Sequence, residues 1–436
     1  MWHYYLLLGV RSLRRNPALT ALMVLTLAIG VAASVSTLTI LHVMSGDPLP
    51  HKSARLFVPV LDPGPLAGYT PGAAPDDLQM SYRDAKNLLD GKQGLRRAAL
   101  YGAATTIAPA RPDLAVFLSH GLVASRDFFA MFETPFRYGQ AWSAAEDASG
   151  ADMVVLNRAL AEKLFGDANP VGRRVSMEGV DYQVSGVLDD WRPLPHAHHL
   201  IGNDYFGAAD EYVLPLASAV RHHIGVNGNM WCTASSKPGY QGILDSECTW
   251  IQFWFETASG ADRAALQDYL DGYAVEQRRL GRLPRKAPNT LYDLRQWMEE
   301  LHVVGQDNRL AAWLAFGFLL LCLVNTIGLL LAKFSVRAAE VGIRRALGAA
   351  RADIFRQFLI EAGVIGLAGG ALGLLFAFGA LALIATQSEQ LAVVAHMDWQ
   401  MLALTFALSV LAALAAGLLP TWRACQVAPA LQLKSQ

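Results

Sequence analysis

The stretch AEVGIRRALGAARADIFRQFLIEAGVIGLAGGALG, residues 339–373, changes character midway. Its first half sets Arg344, Arg345, Arg351 and Arg356 around Glu340, Gly342 and Gly348. From Phe358 onward a single charge remains, Glu361, followed by apolar residues and glycine alone. A basic amphipathic segment feeding an apolar run is how a polypeptide enters a bilayer from the side that carries its positive charges. A span needs about 20 apolar residues. Working outward, four segments qualify: 18–44, 310–332, 357–386 and 399–420. None contains Lys or Arg, and Glu361 is the one acid, within a turn of its span's start. That position reads as a snorkelling or cap-adjacent carboxylate.

The flanks set the orientation. Residues 1–17 carry Arg11, Arg14 and Arg15, and residues 333–356 carry Lys333, Arg337, Arg344, Arg345, Arg351 and Arg356. The tail 421–436 adds Arg423 and Lys434, whereas the loop 387–398 has Glu389 and Asp398 but no base. Positive segments stay in the cytoplasm, so both termini belong there and residues 45–309 lie outside. Trp313 and Trp399 fall near outer span ends, where aromatic belts form. The first apolar run, about 26 residues, exceeds the 7–15 of a signal-peptide core, which argues against cleavage.

Composition agrees. Hydrophobic residues make up 53% of the 436 and charged residues 17%, below the ~25% of soluble domains. Residues 45–309 hold 25 Lys and Arg against 32 Asp and Glu. An acidic outer domain offers no basic footprint for nucleic acid.

That domain reads as mixed α/β. Residues 175–188 place Gly179 between two β-rich runs, as in a hairpin. Residues 153–165 read as a strand end and an amphipathic helix, with Asn157 as N-cap and Gly166 as stop. Residues 250–256, WIQFWFE, read as a half-buried strand, 261–280 as a helix, and 289–309 as a polar-faced helix running into the second span. The stretches 62–75 and 192–210 read as loops. Cys322 lies in a span and Cys425 in the tail, leaving Cys232 and Cys248 as the outer pair, which predicts a disulfide. His196, His198 and His199, and again His222 and His223, sit in loop-like sequence and read as exposed; no metal site is expected. There is no G-x-x-x-x-G-K-[ST], H-E-x-x-H, G-x-S-x-G or C-x-x-C, so no catalytic residues are expected. Gly366 with Gly370, and Gly369 with Gly373, each form a G-x-x-x-G pair, suited to close helix approach within the subunit or across a dimer.

Glu340, Gly342, Arg344, Arg345, Ala346, Leu347, Gly348 and Ala349, followed by Gln357, Phe358, Leu359 and Glu361, resemble the FtsX/MacB family of ABC transporter permeases. The start 9–34, the segment 123–188 and the end 417–430 resemble the same family, in the same order. The resemblance implies four transmembrane helices with a periplasmic domain between the first and second. It implies a Porter-like part at about 47–118 and 245–290, a Sabre-like part at about 119–244 and a stalk at 289–309. It further implies a coupling loop, 333–356, in which Glu340, Gly342, Arg344, Arg345 and Gly348 meet an ATPase, Gly342 allowing close backbone approach. With about 17 residues before the first span, the expectation is that the ATPase, with its ATP and Mg, is a separate polypeptide. This chain would bind no cofactor. The implied activity is mechanotransmission in the bacterial inner membrane, driving efflux. The partners are a second permease subunit, identical or related, and, in a tripartite export system, a periplasmic adaptor and an outer-membrane channel. An FtsX-like signalling permease and a Lol-like lipoprotein extractor are the alternatives, and neighbouring genes would separate the three.

Overall fold

We describe the protein from a computed structural model, covering residues 16–387 except 197, 200–204, 234–235 and 286–288, with scattered positions between 403 and 422. The chain forms two compact units, Gly46–Val303 and the flanking Met1–Ser45 with Val304–Gln436.

Helix α1, Pro17–Met44, opens with proline at its first turn, where the missing N–H costs nothing. The inserted unit follows. Its elements are β1 Leu56–Val60, β2 Met80–Ser81, α2 Tyr82–Asp90, β3 Arg96–Ala108, β4 Phe117–Ala124, α3 Asp127–Met131, β5 Phe136–Gly139 and α4 Ala144–Ser149. Then come β6 Met153–Leu156, α5 Arg158–Phe165, β7 Arg174–Met177, β8 Val180–Leu188, β9 Tyr212–Pro215, α6 Leu216–Arg221 and α7 Tyr240–Leu244. It ends with β10 Thr249–Glu256, α8 Arg263–Arg279, β11 Thr290–Asp293 and α9 Leu294–Glu300. The last described elements are α10 Gln306–Val336, α11 Ala338–Ala346 and α12 Arg351–Ala385.

The strands form one sheet in the order β11-β1-β10-β3-β4-β9-β6-β8-β5, with β2 beside β10 and β7 beside β3 and β8. The pairs β4–β9 and β6–β8 are parallel, the others antiparallel. Strands drawn from the two ends of the insert gather at one end of the sheet, and those from its middle at the other. The expected division at 118/119 falls inside β4. The sheet runs unbroken across it, β3 and β4 pairing from Leu100 opposite Ala124 to Ile107 opposite Phe117.

Local signals act as the sequence indicates. The Asn157 side chain accepts from Leu160 N at 2.8 Å, and Gly166 ends α5. The β7–β8 hairpin turns at Glu178 and Gly179, both at positive φ, the mirror-image turn whose twist suits adjacent strands. Cys232 and Cys248 are joined in a disulfide, their Cα atoms 4.2 Å apart.

Two expectations fail. Strand β10 is not half-buried: all eight residues are buried. It is a central strand, covered on one face by α2 and α8 through Leu88, Leu266 and Leu270, and on the other by α3 and α9 through Phe128 and Trp297. Nor do residues 289–309 form one helix. Leu291 enters the sheet opposite Pro59 as part of β11. Asp293 then accepts from Gln296 N at 2.8 Å in a capping box that starts α9. His302, at φ 51°, stops further helix.

Three helices among the described residues are long and apolar enough to cross a membrane: Pro17–Met44, Arg309–Val336 and Arg351–Ala385. Leu22, Leu25 and Ile29 on α1 and Leu314, Leu320 and Leu321 on α10 are exposed, as lipid-facing residues are. The exposed Trp313 lies in the first turns of α10. The expected span 399–420 with Trp399, the loop before it, the tail with Cys425, and Arg11, Arg14 and Arg15 lie wholly or largely outside the described residues.

Candidate coupling site and a buried histidine cluster

The segment joining the second and third apolar helices folds as a short helix between two long ones. Helix α10 ends at Val336, Arg337 is the hinge residue, and α11 begins at once. Gly348, at φ 99°, closes α11 in a backbone conformation that side chains disfavour, and Ala350 precedes α12. Val341 anchors α11 in an apolar cluster with Met23, Leu330, Phe334, Ile354 and Phe358. The Phe334 and Phe358 rings lie 4.3 Å apart.

Polar contacts complete the anchor. Arg344 contacts Glu340 Oε1 at 2.7 Å and donates to Gln357 Oε1 at 3.0 Å. Glu361 is not a snorkelling carboxylate. It is 1% exposed, with Lys333 Nζ at 2.6 Å and Arg337 Nη1 at 3.0 Å. Lys333, also 1% exposed, lies in the last turn of α10. A lone acid in an apolar helix usually has such a partner, and Lys333 at the end of the neighbouring span was the signal for it.

Of the expected coupling residues, Glu340, Arg344 and Arg345 are partly exposed and Gly348 is exposed. Gly342 is buried against the chain's own residues, so it is not available for close approach by another protein. The most exposed large side chains at this end are instead apolar: Ile343 on α11 is 57% exposed and Leu347, which caps the helix, 82%. The four span glycines are buried. A Cβ on Gly369 would lie 2.8 Å from Leu27, and one on Gly373 3.0 Å from Ala28 O and Val31. These two glycines therefore seat α12 on α1 of the same chain.

The histidines of 196–199 are not exposed. His196, His198 and His199 are each at most 5% exposed. His198 Nε2 and His199 Nε2 lie 3.4 and 3.1 Å from Asp210 Oδ2. Burial pushes the His198 imidazole down to about 3, against the hydrogen bond to Asp210. Burial would raise the Asp210 carboxyl, but His199 and His198 hold it well below the usual carboxylate range. In the second tract, His222 is part-buried on Asp152 Oδ1 at 2.8 Å, beside Arg221 and Ser218. His223 is exposed, as expected, and stacks on Tyr240. Asp152 is 70 residues from His222, and Asp210 is 12 and 11 residues from His198 and His199, beyond the reach of a local ligand spacing.

Residues 20–273 match the MacB-like periplasmic core domain, and residues 312–429 the FtsX-like permease C-terminal family. The macrolide export ATP-binding/permease protein MacB of Rhodopirellula baltica is 25% identical over 388 residues, 85% of this chain and 53% of that protein. The pyoverdine export ATP-binding/permease protein PvdT of Pseudomonas entomophila is 26% identical over 312 residues, 71% of this chain and 42% of that protein. The chain thus spans about half the length of the curated relatives it matches. The crystal structure of the periplasmic region of MacB from Actinobacillus actinomycetemcomitans aligns with a TM-score of 0.36 at 10% identity, over 58% of this chain and 95% of that one. The two matched regions take in most of the sequence, and the chain belongs to the ABC transporter permeases that carry a MacB-like periplasmic core domain and an FtsX-like carboxyl-terminal domain.

Proposed function

We propose that this chain is the permease part of a MacB-type export system, converting ATP hydrolysis on an ATPase subunit into movement of the inserted domain and efflux of substrate. The observation that carries the reading is the succession of the two matched regions along one chain, with a mixed α/β unit between apolar helices. ATP and Mg belong to the ATPase, and a second permease subunit completes the assembly. The chain sits in the bacterial inner membrane, its fourth span at 399–420, with both termini and residues 333–356 cytoplasmic and the insert periplasmic. The insert divides functionally into Porter-like and Sabre-like parts.

Helix α11 is the element suited to receive the ATPase. Its outward Ile343 and Leu347 offer apolar surface, with Arg345 beside them. Its inner side is fixed to α10 and α12 by Val341 and Arg344. A push on α11 therefore reaches the buried Lys333–Glu361–Arg337 cluster instead of dissipating in a loose loop. Support for the reading comes from the exposed apolar pair on an otherwise anchored helix.

The test is co-purification of a partner ATPase with wild-type chain and with Leu347→Asp, followed by an export assay in cells. The variant should insert normally, since the loop arginines that set topology remain, yet lose ATPase association and export. Undiminished association and export would sink the assignment. Impermeant maleimide reacting with a cysteine placed at 340 but not at 150 in intact cells would reverse the orientation.

A further inference from the structure

We propose that His198, His199 and Asp210 form a binding site for a divalent transition metal of the zinc class. Among the described residues, this group of histidine and carboxylate side chains brings its three ligand atoms within 4.8 Å of one another. Two imidazole Nε2 atoms converge on one carboxylate oxygen, at 3.4 and 3.1 Å. Donors bound at about 2.0–2.2 Å around a tetrahedral zinc ion stand roughly 3.3–3.6 Å apart. The two imidazole-to-carboxylate spacings already lie close to that, and the two imidazole nitrogens, within 4.8 Å of each other, need only draw together around the ion. Two imidazoles and a carboxylate are the donor set that suits zinc, and an all-oxygen cation such as calcium would not choose it.

The environment is compatible with a metal in place of the shared protons. Among the described residues His199 Nδ1 is buried and has no hydrogen-bond partner. The His199 proton sits on Nε2, donated to the Asp210 carboxylate at 3.1 Å, and an ion bound there takes that proton's place. The ligands are held by contacts a metal would not disturb. Trp254 Nε1 donates to the His198 carbonyl at 2.8 Å, and Asn157 Nδ2 donates to the Asp210 carbonyl at 3.1 Å. Phe128, Phe132 and Trp191 pack around the His198 ring. A cavity of about 250 Å³ bordered by Asp190, Trp191 and Pro195 touches the cluster at His198. The ion would pin the segment between β8 and β9, which has no helix or strand among its described residues, onto the sheet.

The experiment is a cobalt(II) titration of the full chain in detergent, purified through a tag without histidines and stripped with chelator. The expected result is saturable binding of one ion per chain, with the visible absorption of four- or five-coordinate cobalt, displaced by zinc. The Asp210→Asn and His199→Gln variants should bind at least about tenfold more weakly. His222→Gln, in the other histidine tract, should bind as wild type. The wild-type titration decides by itself if a ligand variant fails to fold: absence of saturable binding overturns the proposal. Undiminished affinity in both ligand variants, or loss of binding in His222→Gln alone, also overturns it. Export is not the readout, so the outcome is independent of the transport reading.

Discussion

Replacing Glu361 by Gln removes one negative charge from a place without water. Lys333 Nζ at 2.6 Å and Arg337 Nη1 at 3.0 Å then lose their counter-charge, and the Lys333 side chain has no exposure through which to recover hydration. Breaking a buried pair from one side costs about 3–5 kcal/mol. The new amide still accepts from Arg337, which returns about 1 kcal/mol, leaving about 2–4 kcal/mol. At ~2–4 °C per kcal/mol for a unit of this size, the unfolding temperature of the membrane unit should fall by about 4–16 °C. The buried Cys322 supplies the probe. With Cys425→Ser as background, thermal unfolding in mild detergent is followed by a dye that fluoresces on reaction with the Cys322 thiol. Lys333→Met added to Glu361→Gln should restore part of the loss, because the stranded ammonium is gone. A fall under about 2 °C, or a double variant less stable than Glu361→Gln, would refute the view that Glu361 is the counter-ion of this cluster.

Gly373→Leu should destabilise the membrane unit by about 1–3 kcal/mol through overpacking against Ala28 and Val31. Gly379→Leu, with open space around it, should change the same unfolding temperature little. Asn157→Ala removes the cap of α5 and should cost about 1 kcal/mol in denaturant unfolding of the insert; a midpoint equal to wild type would contradict the cap. Non-reducing mass mapping should recover Cys232 and Cys248 in one linked peptide pair, and alkylation of either in native protein would exclude the bond.

What the sequence made legible was local. Asn157 and Gly166 bracket α5, Gly179 marks the hairpin, and 263–279 shows its helical period, because each signal acts over a turn or two. Three of the four expected spans were visible for the same reason, as unbroken apolar runs. The rest depended on pairing across the chain. Strand β10 looks like a strand with one wet face, and only the helices packed on both sides of the sheet show both faces covered. Residues 290–293 look helical until β1 takes them as an edge strand. Of the site, the amphipathic loop was plain, but which face points outward was not: Gly342 proved inward and Leu347 outward. Glu361 and the histidines were judged by their neighbours in sequence, whereas Lys333 and Asp210 explain them.

The continuity of the sheet between β3 and β4 bears on how the insert can be handled as a protein fragment. A cut at 118/119 would bare most of the length of β3, a thirteen-residue strand. It would leave a row of unpaired amides and carbonyls on each piece. Such an edge recruits other chains, so the separated halves should precipitate or pair with themselves in place of folding alone. Swapping the middle segment between relatives would have to move β4 whole with its partner β9 and the β6 strand beyond it, and keep the Leu100–Ala124 register at the seam.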